Sequence, residues 1–533
     1  MIARVVAVTS LMSLAAPAAA QTVTVAIDAA AADHPISPLI YGVAFGNAAD
    51  LATLRAPLNR WGGNSTSAYG YAANAENLAS DWYFESYPQA GTAPGAAADA
   101  FVSATKTGGS RAMLTLPLAG WVGKLGANRA ILPSFSVHKY GAQCATDYWD
   151  SDAGDGLRPD CKTPIAGNSP TDAYVADSAA TERPWLRHLL ATWKAASAGG
   201  VAWYAMDNEA TLWPSTHRDI HPVGPHATEY RDKVIAAAAM IRSIDRTAKI
   251  VGPEEWGWDG YRYSGFDEQY AAAHGWSAFP DRQGVEGGMD YIPWLLTQWK
   301  ASHAVDVVSV HFYPQAGEFS DDVSTATQLL RNRSTRQLWD SNYVSESWIG
   351  QPVYLIPRLK GWVAADYVAG TPVAITEYNW GAEGSINGAT TQADIYGIFG
   401  KYGLDLATRW VVPANTTPTF KAMQMYRNYD GAGGAFGDTS VAATVPNPDN
   451  LSAFAALRAN DGALTVMVVN KTLTGATPLA LTLGSWPQTG SAHRWQLTAA
   501  NTIAKLPDLS WSHQSVSDVL PAQSVTLYVL PAR

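Results

Sequence analysis

Two segments of the chain set carboxylates where bond-breaking chemistry would use them. In Val201-Ala-Trp-Tyr-Ala-Met an apolar run leads straight into Asp207, Asn208 and Glu209, and in Val373-Ala-Ile-Thr a second run ends on Glu377. A carboxyl at the end of a parallel barrel strand projects into the mouth of the barrel, where barrel enzymes keep their sites. Two of them facing each other would suit cleavage of a glycosidic bond. One, protonated, delivers its proton to the leaving oxygen, and the other stands as an anion beside the anomeric carbon. Asn208 is placed to bond a sugar hydroxyl next to that carbon. Either glutamate alone could simply pair with an arginine; both together, set among Trp203, Trp213, Tyr378 and Trp380, point to function. Glu254 and Glu255 also follow an apolar run, Ile250-Val-Gly-Pro. One of them is expected to support the site by hydrogen bonding, and Glu255, beside Trp256, joins the substrate-binding candidates.

The elements that would carry these residues alternate. Readable strands are Ala112–Leu116, Val201–Met206, Ile250–Gly252, Val305–His311 and Val373–Thr376. Helical patterns lie at Trp185–Ala196, Ala227–Ile244, Ile292–His303, Ile356–Tyr367 and Thr391–Leu406. Alternation sustained from residue 35 to about 430 predicts an α/β chain with parallel strands and crossover helices. Its size favours a TIM-like (β/α)8 barrel over an open sheet, and no Gly-x-Gly-x-x-Gly opens a helix near the start. From about 431 to 533 the texture becomes short strands split by turn residues: Ser452–Arg458, Leu464–Asn470, Leu479–Leu483 and Val525–Leu530. These predict a β-sandwich domain. The stretch 21–34, with Thr22–Ile27 alternating like an edge strand, is expected to join that sandwich.

Of the 533 residues, 47% are hydrophobic and only 15% charged, which excludes a disordered chain. The formal charge of −10 leaves no basic surface for a phosphate backbone, so nucleic acid is not an expected partner. The 21 tryptophans and 24 tyrosines exceed what a core needs, and flat apolar faces with a polar edge suit sugar rings. Residues 1–20 place Arg4 before an apolar stretch and end in Ala18-Ala19-Ala20, the pattern of a secretory signal peptide cut before Gln21. A secreted protein without a membrane anchor is therefore expected, extracellular or periplasmic. The two cysteines, Cys144 and Cys161, would pair in such a compartment; two buried free thiols are the alternative.

Further candidates follow the strands. His311 and Tyr313 come after the sixth strand and could bond a carboxylate or the sugar, though a histidine held by backbone would look the same. Trp61, Trp82, Trp213, Trp256, Trp258, Tyr378 and Trp380 are candidates for ring stacking, with barrel packing as the competing role. His217 and His221 lack the glutamate of a zincin helix and read as structural.

The segments around the two glutamates carry a resemblance. Asp207-Asn208-Glu209 with Leu212-Trp213, and Ile375-Thr376-Glu377-Tyr378-Asn379-Trp380-Gly381, resemble the acid/base and nucleophile segments of glycoside hydrolase family 44. Arg60-Trp61-Gly62-Gly63-Asn64, Ser80-Asp81-Trp82-Tyr83 and Leu404-Asp405-Leu406-Ala407-Thr408-Arg409-Trp410 are similar too, in order along nearly the whole chain. The resemblance implies an endo-β-1,4-glucanase or xyloglucanase working with retention, Glu209 as acid/base and Glu377 as nucleophile. Its expected partner is a β-glucan, with Asn64 among the binding residues, and no cofactor is required. Ser65, the run Tyr69–Asn74 and Ala210 depart from the family pattern and bear on subsites and metal binding. A structural calcium on Asp152 or Asp155 is a further expectation, because some relatives bind calcium and hard cations favour clustered carboxylates. Another retaining β-glycanase, on xylan or mannan, and an inactive carbohydrate-binding protein are the competing readings. A monomer suffices for all of them.

Overall fold

The computed structural model describes residues 21–532, so the signal-peptide segment lies outside the described residues. Eight parallel strands close a barrel, in chain order Gly42–Ala44, Leu58–Trp61, Arg111–Leu116, Trp203–Met206, Lys249–Glu255, Val307–Phe312, Val373–Tyr378 and Leu406–Arg409. Past the exposed Arg111 and Lys249 that open two of them, all eight are buried on both faces. That burial is why the longer ones read as continuous apolar runs rather than alternating ones. Leu58, Met113, Ala205, Val251, Val307, Ala374 and Leu406 form a separate apolar layer at the start of the strands. That layer plugs the barrel floor and leaves only the carboxyl ends free to build a site.

The helix Ala227–Ile244 has the predicted bounds. The expected helix Thr391–Leu406 instead spans Ile386–Lys401, and Leu406 begins the eighth strand. Gly403, in the left-handed region at φ 63°, makes the break; its freedom to take positive φ ends the helix and turns the chain into the barrel. Every residue of this helix from Asn387 to Gly400 is buried, because it lies between the barrel and the second sheet. Gly397 has no side chain to spare there: the Phe454 ring of the sheet fills the space a Cβ would take.

The second domain is one nine-stranded, mostly antiparallel sheet that curls around its own core of Val25, Val466, Val468, Leu481 and Leu530. Its outer layer, with Phe454, Met467, Val525 and Leu527, shares a core with the barrel helices. Strand Val23–Pro35 lies inside this sheet rather than at its edge. It runs parallel to Thr477–Gly484 and antiparallel to Thr439–Thr444. Across the domain boundary Lys471 meets Asp394 at 2.6 Å with both side chains buried. Among the described residues no helix is long and apolar enough to cross a membrane.

Candidate active site

Glu209 follows the fourth barrel strand and Glu377 lies in the seventh, and both side chains reach the mouth of the barrel. Oxygens of the two carboxyls and a ring nitrogen of His311 lie within 4.8 Å of one another. The local chain is built for this placement. Asp207, Glu209 and Glu254 all take left-handed backbone conformations, with φ of 65°, 48° and 62°. Such conformations cost a non-glycine residue about 1–2 kcal/mol each, and here the surroundings hold them. Asp207 is fully buried and accepts from Ser67 Oγ at 2.5 Å, from the Asn208 amide at 2.7 Å, from Ala119 at 3.1 Å and from Trp213 Nε1 at 3.3 Å. The Glu209 amide donates to the carbonyl of Glu254 at 3.0 Å, tying the ends of the fourth and fifth strands together.

Glu377 accepts from Arg60 Nη1 at 2.6 Å and from the Tyr313 hydroxyl at 2.8 Å. Arg60, wholly buried, reaches on to Glu254 at 3.1 Å and to Asn208 Oδ1 at 3.1 Å. Glu254 also accepts from Thr376 Oγ1 at 2.8 Å and from Ser309. Burial pushes the Glu254 carboxyl up, but Arg60, His311 and Ser309 overcome it and bring it down to about 2. Burial alone would strip His311 of its charge; Glu377, Glu209 and Glu254 reverse this and hold the imidazole up at about 10. With the ring charged, the Glu209–His311–Glu377 group is an ion-pair network, His311 Nδ1 lying 2.8 Å from Glu209 and 3.6 Å from Glu377.

Charge balance then distinguishes the two glutamates. Arg60 and His311 supply two positive charges, and Glu254 and Glu377, each held by Arg60, answer them. Glu209 is the third carboxyl. Burial raises its pKa, His311 opposes that, and the Glu377 charge adds to the rise. The cluster is neutral when Glu209 keeps its proton.

The cleft above the pair has a volume of about 410 Å3 and is lined by Asn64, Asp81, Asn208, Trp256, Tyr313, Phe319 and Trp410. Asn208 Nδ2 donates to Asn64 Oδ1 at 3.3 Å, and Asn64 Nδ2 donates to Asp81 at 3.0 Å. Gly63, at φ 86°, lets the chain pass under the Trp410 ring, where a Cβ would come within 2.6 Å of the indole. Asn64, Asn208, Trp256 and Tyr313 thus stand where the sequence places them, and His311 lies beneath them, touching both carboxyls. Trp82 is exposed beside cleft-lining Asp81.

Other expected binding residues face away from the cleft. Successive residues of a strand point to opposite sides, so with Glu377 directed inward Tyr378 must point out; it is buried and accepts from Gln392 at 3.0 Å. Trp380 is buried with its Nε1 on Ser334 at 3.0 Å, Trp61 packs on Tyr69 and Phe101, and Trp213 clamps Asp207. Trp258 is buried too, with the Arg358 guanidinium 5.1 Å from its ring. Glu255 is buried against Thr211 Oγ1 at 2.8 Å, and burial pushes it up to about 8; Glu254 is the one that enters the site. His217 is buried and bonded to the Asn64 carbonyl at 3.0 Å, a structural histidine.

Asp152 accepts from Ser136 Oγ and the His138 amide, both at 2.7 Å, and Asp155 from the Leu157 amide at 3.0 Å; both cap turns. The carboxylates that gather in this region are instead Glu85, Asp147 and Asp150. Burial first, then those two aspartates, push Glu85 up to about 7, and its Oε1 is buried without a partner. Cys144 and Cys161 are joined by a disulfide. Glu254 is the one of the two neighbouring glutamates that supports the site, as expected of one of them, whereas Arg60, Asp81, Phe319 and Trp410 are site residues that sequence reasoning did not assign. Arg60 carried a signal, a charge set inside the buried run Leu58–Trp61.

The model of glycoside hydrolase family 44 matches residues 75–316. Endoglucanase A of Paenibacillus lautus is 31% identical over 484 residues, 85% of this chain and 64% of that protein, so the chain spans less than two thirds of that relative's length. The crystal structure of CelM2, a bifunctional glucanase-xylanase from a metagenome library, superimposes with a TM-score of 0.94 at 54% identity, over 96% of this chain and 99% of that one. A family 44 xyloglucanase from Paenibacillus polymyxa gives 0.79 at 27% identity, over 96% and 100%.

Proposed function

Since the chain belongs to glycoside hydrolase family 44, we propose that it is an exported, monomeric endo-β-1,4-glucanase and xyloglucanase that cleaves with retention of configuration. The observation that carries this is the approach of the Glu209 and Glu377 carboxyls to within 4.8 Å. Retaining enzymes hold their two carboxyls about 5–5.5 Å apart, whereas inverting ones need several ångströms more to admit a water.

In the first step Glu377 Oε attacks the anomeric carbon while Glu209 gives its proton to the departing glycosidic oxygen. Tyr313 and Arg60 aim the attacking carboxylate. The glycosyl ester then removes the negative charge beside Glu209, whose affinity for a proton falls. Now a base, Glu209 takes a proton from water, which attacks the same carbon and releases the sugar with Glu377 restored. Asn208, held by Arg60 and Gly63, is positioned to bond the hydroxyl next to the reacting carbon. No cofactor enters these steps.

The test is a proton NMR time course on a cello-oligosaccharide: the first product should be the β-anomer, and an initial α-anomer would end the double-displacement reading. Xylan cleavage is a second reading, supported by the 54% identity to a glucanase-xylanase. Comparing rates on xyloglucan, carboxymethylcellulose and xylan decides between them. The disulfide and the apolar leader sequence support export. For a structural calcium the donor to test is Glu85, whose Oε1 is buried without a partner beside Asp147 and Asp150; those two aspartates, like Asp155, each give one oxygen to a turn amide, and Asp152 has both oxygens engaged. A rise in melting temperature with added Ca2+, lost in Glu85→Gln, tests that placement.

A further inference from the structure

The disulfide-closed loop between Cys144 and Cys161 exposes aromatic surface that no packing requirement explains. Tyr148 is 90% and Trp149 77% exposed, the two most open large apolar side chains among the described residues. They do not sit on a loose segment. Backbone bonds Asp147 N to Ala153 O (2.9 Å), Asp155 N to Ala145 O (3.0 Å) and Cys144 N to Leu157 O (3.1 Å) lace the loop together. Asp147 Oδ1 accepts from the Trp149 amide at 3.2 Å. The loop lies on a small core of its own, Phe84, Phe135 and Ile165. Rigid backbone carrying open indole and phenol rings is how a protein marks a contact surface.

The position of these rings names the occupant. Trp149 lies 5.5 Å from Trp82, ring planes 35° apart, and Trp82 immediately follows Asp81, whose carboxyl lines the cleft. Trp82 and Trp149 therefore form an exposed aromatic pair joined to the cleft wall through Asp81. Tyr148 stands edge-on to Trp149 at 5.6 Å and bounds the surface. Indole faces in a row beside a sugar-cleaving cleft match the apolar faces of successive pyranose rings, with the hydroxyls left to water.

We infer that the Tyr148–Trp149 loop is a remote subsite that binds the same β-glucan chain whose scissile bond lies between Glu209 and Glu377. This deepens the glycanase reading and rests on it. Only chains long enough to run from the carboxyl pair past Asp81 and Trp82 would feel it.

The experiment compares Trp149→Ala, Trp149→Phe and the parent on a long soluble β-glucan and on a short aryl cellobioside. One stacked ring is worth roughly 0.5–1.5 kcal/mol, so Trp149→Ala should lower the long-to-short ratio of kcat/KM by about three- to tenfold, through KM on the long substrate. Trp149→Phe, which keeps a ring, should recover part of the loss. In a Glu377→Gln background, affinity electrophoresis through gels containing the glucan should show weaker retardation when Trp149→Ala is added. A ratio equal to the parent's, or equal losses on both substrates, overturns the subsite. A parent enzyme inactive on every β-1,4-linked glycan overturns the glycanase reading instead, and the two failures are distinct.

Discussion

His311 donates from Nδ1 to Oε1 of Glu209 at 2.8 Å while its Nε2 stands 3.3 Å from Glu254. The imidazolium therefore holds one oxygen of Glu209 and leaves the other free toward the cleft, the oxygen that carries the proton in the proposed mechanism. It also lies 3.6 Å from Glu377, so one cation adjoins all three glutamates of the cluster.

Replacing His311 by Asn should lower kcat by about 10²-fold or more, the scale of removing one preorganised donor. Since the His311 charge lowers the Glu209 pKa, its loss should move the alkaline limb of the pH–rate profile upward. The ring's value, near 10, lies above its ordinary 6.5. Its charge therefore contributes stability in full below about pH 6.5, and that contribution fades as pH climbs through 10. Urea titrations of parent and variant at pH 6 and pH 10 should show the gap between them closing at the higher pH.

Glu209→Gln should abolish the alkaline limb of kcat/KM, because that limb reports loss of the acid's proton in the free enzyme. With an aryl glycoside whose leaving group needs no protonation, the first step should survive and a burst of released phenol should appear. A variant that keeps the parent's alkaline limb would show that another group supplies the proton.

Glu377→Gln should reduce turnover by on the order of 10⁴-fold or more, since losing a nucleophile disables both chemical steps. Trapping the parent with a 2-fluoro glycoside and mapping the labelled peptide should place the sugar on Glu377. A label found on Glu254 would reverse their roles.

Lys471→Met leaves the buried Asp394 without its cation, and breaking a buried pair costs about 3–5 kcal/mol. Urea unfolding should show that loss, and Lys471→Met with Asp394→Asn should recover much of it. Similar losses in the single and double variants would mean that packing, not charge, holds this boundary.

Cys144→Ala with Cys161→Ala opens a loop of seventeen positions, for which the chain-entropy account gives about 3 kcal/mol. Limited proteolysis, read by mass spectrometry of the fragments, should then cut within 145–160 before any site in the barrel.

What could be read in advance follows the length of the elements. The third to seventh barrel strands showed as apolar runs, and the ends of three of them located Glu209, His311 and Glu377. The first two, Gly42–Ala44 and Leu58–Trp61, are three and four residues long, too short for a pattern, and the second contains Asn59 and Arg60. Residue type also says nothing about direction. Trp61, Trp213 and Trp380 satisfy the chemistry of a sugar platform, yet packing on Tyr69 and Phe101, the bond to Asp207 and the bond to Ser334 hold them away from the cleft. Trp410 and Trp149, on loops beyond any periodic segment, carry the open faces. Glu254 gave no sign of being the buried partner of Arg60, since a strand-end carboxyl looks the same whether it meets substrate or a guanidinium.

Strand Val23–Pro35 finds its neighbours only at 439–444 and 477–484. A chain emerging from synthesis must carry this segment unsatisfied until more than four hundred residues have followed it. The long-range closure acts as a clasp on the catalytic unit. A terminal truncation that looks harmless from the barrel would therefore leave a seam open in the middle of a sheet, inviting strand exchange between molecules.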